Sequence, residues 1–96
     1  FYKALGFIPS NYLSQYKYAD VGAGGAYKHR VAMNSWHGTN KPLAPEGSAG
    51  LRHYNIIFES ESKLTEALNM VANYEKKYDG YWLTDPSGNT LCLNSK

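Results

Sequence analysis

Residues 36–50 can sustain neither a helix nor a strand. The stretch holds Pro42, Pro45 and several glycines, which remove backbone donors and loosen the chain. It divides 96 residues into two short pieces, each with few elements from which to assemble a fold. We therefore expect one domain with a partial first module over 1–36, a linker loop over 37–50 and a second module over 51–96.

The second piece is the more legible. Leu51 to Phe58 alternates as a strand, with Leu51, His53, Asn55 and Ile57 on one face and Arg52, Tyr54, Ile56 and Phe58 on the other. A helix follows to about Tyr74, for which Ser62 is the expected cap. Its Leu64, Ala67, Leu68 and Val71 form one apolar stripe. Tyr81–Thr84 and Thr90–Leu93 read as short strands joined by the Asp85-Pro-Ser-Gly-Asn89 turn.

The first piece opens with Phe1–Phe7, whose pattern predicts the last turns of a helix with Gly6 as a left-handed cap. Tyr12–Val21 and Tyr27–Asn34 predict two strands around the Gly22–Ala26 turn. In the second of these, Tyr27, His29, Val31 and Met33 would share a face. The chain starts at Phe1, so either it begins inside an element or residues precede it.

Composition narrows the function classes. Hydrophobic residues make up 43% and charged residues 19%, an ordinary globular balance. A net charge of +2 with no basic stripe argues against nucleic acid. No apolar run reaches the roughly 18 residues of a membrane span. One cysteine, Cys92, permits no internal disulfide, and a reducing, cytoplasmic setting is expected. The nine tyrosines suggest large half-buried rings at an interface or pocket wall.

Four segments occur in order: Phe1–Phe7, Gly24–Trp36, Gly50-Leu-Arg-His-Tyr54 and Asp85-Pro-Ser-Gly-Asn89. Together they resemble the vicinal oxygen chelate superfamily of glyoxalases, bleomycin-resistance proteins and extradiol dioxygenases. The likeness is strongest to the C-terminal domain of catechol 2,3-dioxygenase-like proteins. It implies an α+β fold of glyoxalase-like paired βαβββ modules forming a curved mixed sheet, here with the first module truncated. It further implies Fe(II) or Mn(II) held by two histidines and a carboxylate, with open positions for a vicinal diol and dioxygen.

On this resemblance His53 matches a metal ligand and His29 the histidine that handles protons. Trp82 matches an active-site tyrosine and is expected, with Tyr54 and Asn55, to line the substrate pocket, and Cys92 stands where the carboxylate ligand belongs. A further strand of the family is expected to be deleted between Tyr74 and Tyr81. Plainer readings stand beside these: His53 as a hydrogen-bonded structural histidine, His29 as filler at the mouth of the sheet, and Cys92 as a small buried hydrophobe.

Three functions follow from the resemblance. The chain is a metal-dependent ring-cleaving dioxygenase with a degenerate site, a metal-free binder of small aromatic ligands of the bleomycin-resistance type, or a structural subunit completing a partner chain. An open sheet edge left by the truncated module would favour a homodimer or such a partner.

Overall fold

The computed structural model describes residues 1–38 and 40–96; within the 37–50 connection, residue 39 lies outside them. The architecture is α+β. Among the described residues its strands are β1 (Ile8–Leu13), β2 (Tyr18–Gly22), β3 (Val31–Asn34), β4 (Tyr54–Phe58), β5 (Glu75–Lys77), β6 (Gly80–Thr84) and β7 (Thr90–Ser95), and its α-helix is α1 (Glu61–Met70). Among the described residues no helix is long and apolar enough to cross a membrane. The strands form two separate sheets, and the chain divides into two compact units, residues 2–42 and residues 43–96 with Phe1.

The unit 43–96 runs β4-α1-β5-β6-β7, an order compatible with a glyoxalase-like βαβββ module. Its sheet order is β4-β7-β6-β5. β4 pairs with β7 in parallel, whereas β7, β6 and β5 are antiparallel. A parallel pair needs a long crossover, and here the helix and the β5–β6 hairpin supply it. Leu91 and Leu93 are fully enclosed and register with Tyr54 and Ile56 on one side and Leu83 and Tyr81 on the other. Helix α1 packs on β7 and β4 and buries Leu64, Ala67 and Leu68.

In β4, Tyr54, Ile56 and Phe58 are half-buried, while Asn55 and Ile57 are exposed. The helix therefore covers the Leu91–Leu93 face. Each leucine removed from water there contributes about 1.5–3 kcal/mol.

Helix α1 starts earlier than its apolar stripe predicts. Ser60, not Ser62, is the cap, and its hydroxyl accepts from the Lys63 backbone N–H at 3.3 Å. The helix ends at Met70, and Val71 is already extended. The stretch predicted to lack a strand contains one: β5 lies between Tyr74 and Tyr81 and returns into β6 through Tyr78 and Asp79. Such a hairpin needs only a tight turn, so few residues suffice.

The unit 2–42 is an antiparallel sheet in the order β1-β2-β3. The tyrosine-rich stretch Tyr12–Val21 is not one strand. It breaks at a 3-10 turn, Ser14–Tyr16, followed by Lys17 in the left-handed region (φ 54°), and the chain reverses there. Alternating tyrosines suit a strand on either side of that break, which conceals it. The opening segment is not a helix end. Leu5 N–H bonds Tyr2 O at 3.1 Å and Gly6 N–H bonds Lys3 O at 2.9 Å, which are turn hydrogen bonds, although Gly6 does adopt a left-handed φ of 97°. The predicted strand Tyr27–Asn34 shortens to Val31–Asn34, so Tyr27 and His29 precede the ladder and do not share its face.

Candidate functional site

Two polar clusters hold the candidate residues, one in each unit. In the unit 43–96, the register aligns Asn55 of β4 with Cys92 of β7, Cys92 with Trp82 of β6, and Trp82 with Glu75 of β5. Paired residues share a face, so this row lies opposite the helix. His53 immediately precedes β4 and its ring meets Trp82 at 4.8 Å between centroids, inclined by 63°. The structure thus brings His53, Asn55, Trp82 and Cys92 to one face. Tyr54 is not with them. It pairs with Leu91, and successive strand residues point to opposite faces.

Asp79, in the turn between β5 and β6, organises this face. Its carboxylate accepts the Trp82 indole N–H at 2.9 Å, and Lys77 Nζ lies 5.4 Å from the same ring. Its carbonyl accepts from Asn94 Nδ2 at 3.0 Å and from the Cys92 thiol at 3.6 Å. Burial pushes the Cys92 thiol above its ordinary pKa, the Asp79 charge pushes the same way, and Asn94 opposes both. Gly80 has a φ of 143°, and a Cβ there would sit 2.6 Å from Cys92 Sγ.

These donors do not fit the metal site implied by the resemblance. No three His, Cys, Asp or Glu side chains converge among the described residues. Cys92 is an enclosed thiol engaged with a backbone carbonyl, and its raised pKa opposes the thiolate a metal requires. The face offers an indole, an imidazole and a carboxamide.

In the unit 2–42, the centre is Asp20, only 1% exposed. Tyr18 and Asp20 are alternate residues of β2, and the register sets Asn11 opposite Asp20. Asp20 Oδ2 accepts from Tyr18 Oη at 2.7 Å and Asn11 Nδ2 at 3.1 Å, and Oδ1 accepts from the Asn11 backbone N–H at 3.1 Å. His29 Nδ1 lies 2.7 Å from Oδ2, with the His29 side chain 51% exposed. Burial alone would raise the Asp20 pKa. The donors from Tyr18, Asn11 and His29 outweigh it and hold the carboxyl down at about 2. The same carboxylate raises the Tyr18 phenol, first by its hydrogen bond, then with burial and its charge. Tyr27 packs edge-on to His29, and Arg30 covers the Tyr27 ring at 4.7 Å. A shallow groove of about 400 Å³ opens on this unit beside Tyr12, Lys17, Tyr18 and Met33, and His29 is not among its lining residues.

Asp20 and Asp79 organise the two clusters, and sequence reasoning missed both. Asp20 had a signal, a lone carboxylate between Ala19 and Val21 in a strand, since a charge in such a setting is buried only with partners. Asp79 had none, because an acidic residue beside Lys76 and Lys77 resembles any exposed turn.

Comparison with known proteins gives one partial likeness. No family model matches the chain, and no solved structure matches it. Over 61 residues it is 38% identical to catechol-2,3-dioxygenase of Bacillus subtilis (strain 168). The match takes in 64% of this chain and 19% of that protein, so the chain spans about a fifth of the length of the relative it resembles.

Proposed function

We propose that this chain is an extradiol-dioxygenase-like domain of the vicinal oxygen chelate kind, binding a small aromatic or vicinal-oxygen ligand on the face that carries His53, Asn55 and Trp82. The observation that supports it is the His53–Trp82 contact at 4.8 Å on the side of a βαβββ unit away from its helix, in a chain similar to part of a catechol-2,3-dioxygenase. The indole would stack on the ring, and the imidazole and the Asn55 amide would meet its oxygens. His29, in the unit 2–42, is proposed in its own right as an acid/base. Tyr54 lies on the other face of β4.

Fe(II) or Mn(II) would take His53 as a ligand, but would need further donors that the described residues do not supply. Cys92 therefore favours the second reading, a domain that holds its ligand without metal. Because β4 is an edge strand of its sheet, pairing with a second copy or a partner chain is part of the proposal.

Purified chain, incubated with Fe(II) or Mn(II) and dialysed, is assayed for bound metal, oxygen uptake on catechol and Trp fluorescence on catechol addition. Stoichiometric metal with oxygen uptake supports the enzyme. Saturable quenching without metal, lost in Trp82→Leu, supports the binder. No metal and no quenching refutes both.

A further inference from the structure

Asp20 is acceptor-only at neutral pH, because its carboxyl is ionised well below that range. An acceptor-only oxygen 2.7 Å from an imidazole nitrogen requires the proton to be on that nitrogen. His29 Nδ1 must therefore donate. In the neutral ring, Nε2 is then left with its lone pair. The ring is fixed on one side by the buried carboxylate and by the Tyr27 edge, while half of the side chain reaches solvent. Asp20 is itself held by Tyr18 and by Asn11 through both side chain and backbone, so the acceptor has little freedom to follow another donor. Its enclosure also strengthens the bond it makes.

We propose that Asp20 is a positioning residue that locks His29 as the Nδ1–H tautomer and presents Nε2 as the proton-accepting atom of the chain. This rests on the reading of His29 as an acid/base. It adds the atom that takes the proton and the residue that selects it. When Nε2 accepts a proton from a ligand hydroxyl, the ring becomes a cation facing the Asp20 carboxylate, so charge forms where its counter-ion already lies. The other carboxylate partners support this role indirectly: Tyr18 and Asn11 fix the acceptor, not the imidazole.

Long-range ¹H–¹⁵N spectra of uniformly ¹⁵N-labelled chain, recorded where the imidazoles are neutral, read the tautomer of each histidine. His29 is expected to show the Nδ1–H form, favoured at least about tenfold over the ratio in exposed His37, as a charge-assisted hydrogen bond implies. Asp20→Asn should return that ratio toward the one at His37. Tyr18→Phe, which loosens the same carboxylate but leaves its bond to His29, should keep the Nδ1–H form. A wild-type His29 with the tautomer ratio of His37 overturns the proposal even if Asp20→Asn fails to fold. So does an unchanged ratio in a folded Asp20→Asn. Neither readout needs metal or catechol, so loss of the dioxygenase-like reading and loss of this one are separable.

Discussion

Replacing Gly80 with alanine tests the packing behind the His53–Trp82 face. Gly80 opens β6 with a φ of 143°, a backbone region that side chains rarely enter. Holding alanine there costs about 1–3 kcal/mol. The new Cβ would also lie 2.6 Å from Cys92 Sγ and 2.7 Å from Asn94 Nδ2. Overpacking of this kind adds about 1–3 kcal/mol. Together these approach a large share of the roughly 5–15 kcal/mol that holds a domain folded. At about 4–8 °C per kcal/mol, the melting temperature should fall by at least about 8 °C.

A double-mutant cycle separates the two causes. Cys92→Ala removes the sulfur but not the backbone strain, so Gly80→Ala should cost less in that background, by a coupling of about 0.5–3 kcal/mol. Urea unfolding of the four chains measures it. A Gly80→Ala chain as stable as the parent, or a cycle with no coupling, would refute the close approach of Gly80 to the Cys92 sulfur.

Asp20 has a folded pKa of about 2 against an ordinary 3.8, so it stabilises the fold fully above its unfolded pKa and loses that contribution as pH falls through about 2. The stability gap between parent and Asp20→Asn should therefore shrink as pH falls from about 4 to about 2; a gap unchanged across that window, followed by denaturant titration, contradicts the assignment. Ser60→Ala removes the α1 cap and should cost about 1 kcal/mol, read as a lower urea midpoint with unchanged slope. Cys92, 2% exposed and with its thiol pushed up, should resist a water-soluble disulfide reagent in native buffer and react at once in denaturant. Rapid reaction in native buffer would place the sulfur at the surface.

Legibility in the sequence followed how local the cause was. The α1 stripe of Leu64, Ala67 and Leu68 and the Asp85–Asn89 turn are set by neighbours a few residues away. In that turn Asp85 accepts from the Ser87 and Asn89 backbones at 2.9 and 2.8 Å, as its residue types predict. The break at Ser14–Lys17 has no proline or glycine to announce it. It depends on β1 and β2 pairing with each other, a condition of the whole sheet. Several tyrosines expected at a half-buried wall lie in water instead, Tyr12 at 80% and Tyr78 at 103% exposure, because the number of rings in a chain says nothing about which of them a neighbour covers. In the candidate site, His53, Asn55 and Trp82 were legible through alternation and resemblance. The tie from Asp20 to His29 was not, since it joins β2 to a segment outside the ladder.

The turn residue Asp79 grips the Trp82 indole with its side chain and Asn94 with its backbone. A bend at the rim is thereby latched to the middle of the sheet, so the β5–β6 tip cannot swing away without freeing both at once. The indole proton becomes a natural gauge of that latch. Scaled to each group's intrinsic rate, its protection from deuterium exchange should match that of the Asn94 carboxamide, and a less protected indole would mean that the two grips let go independently.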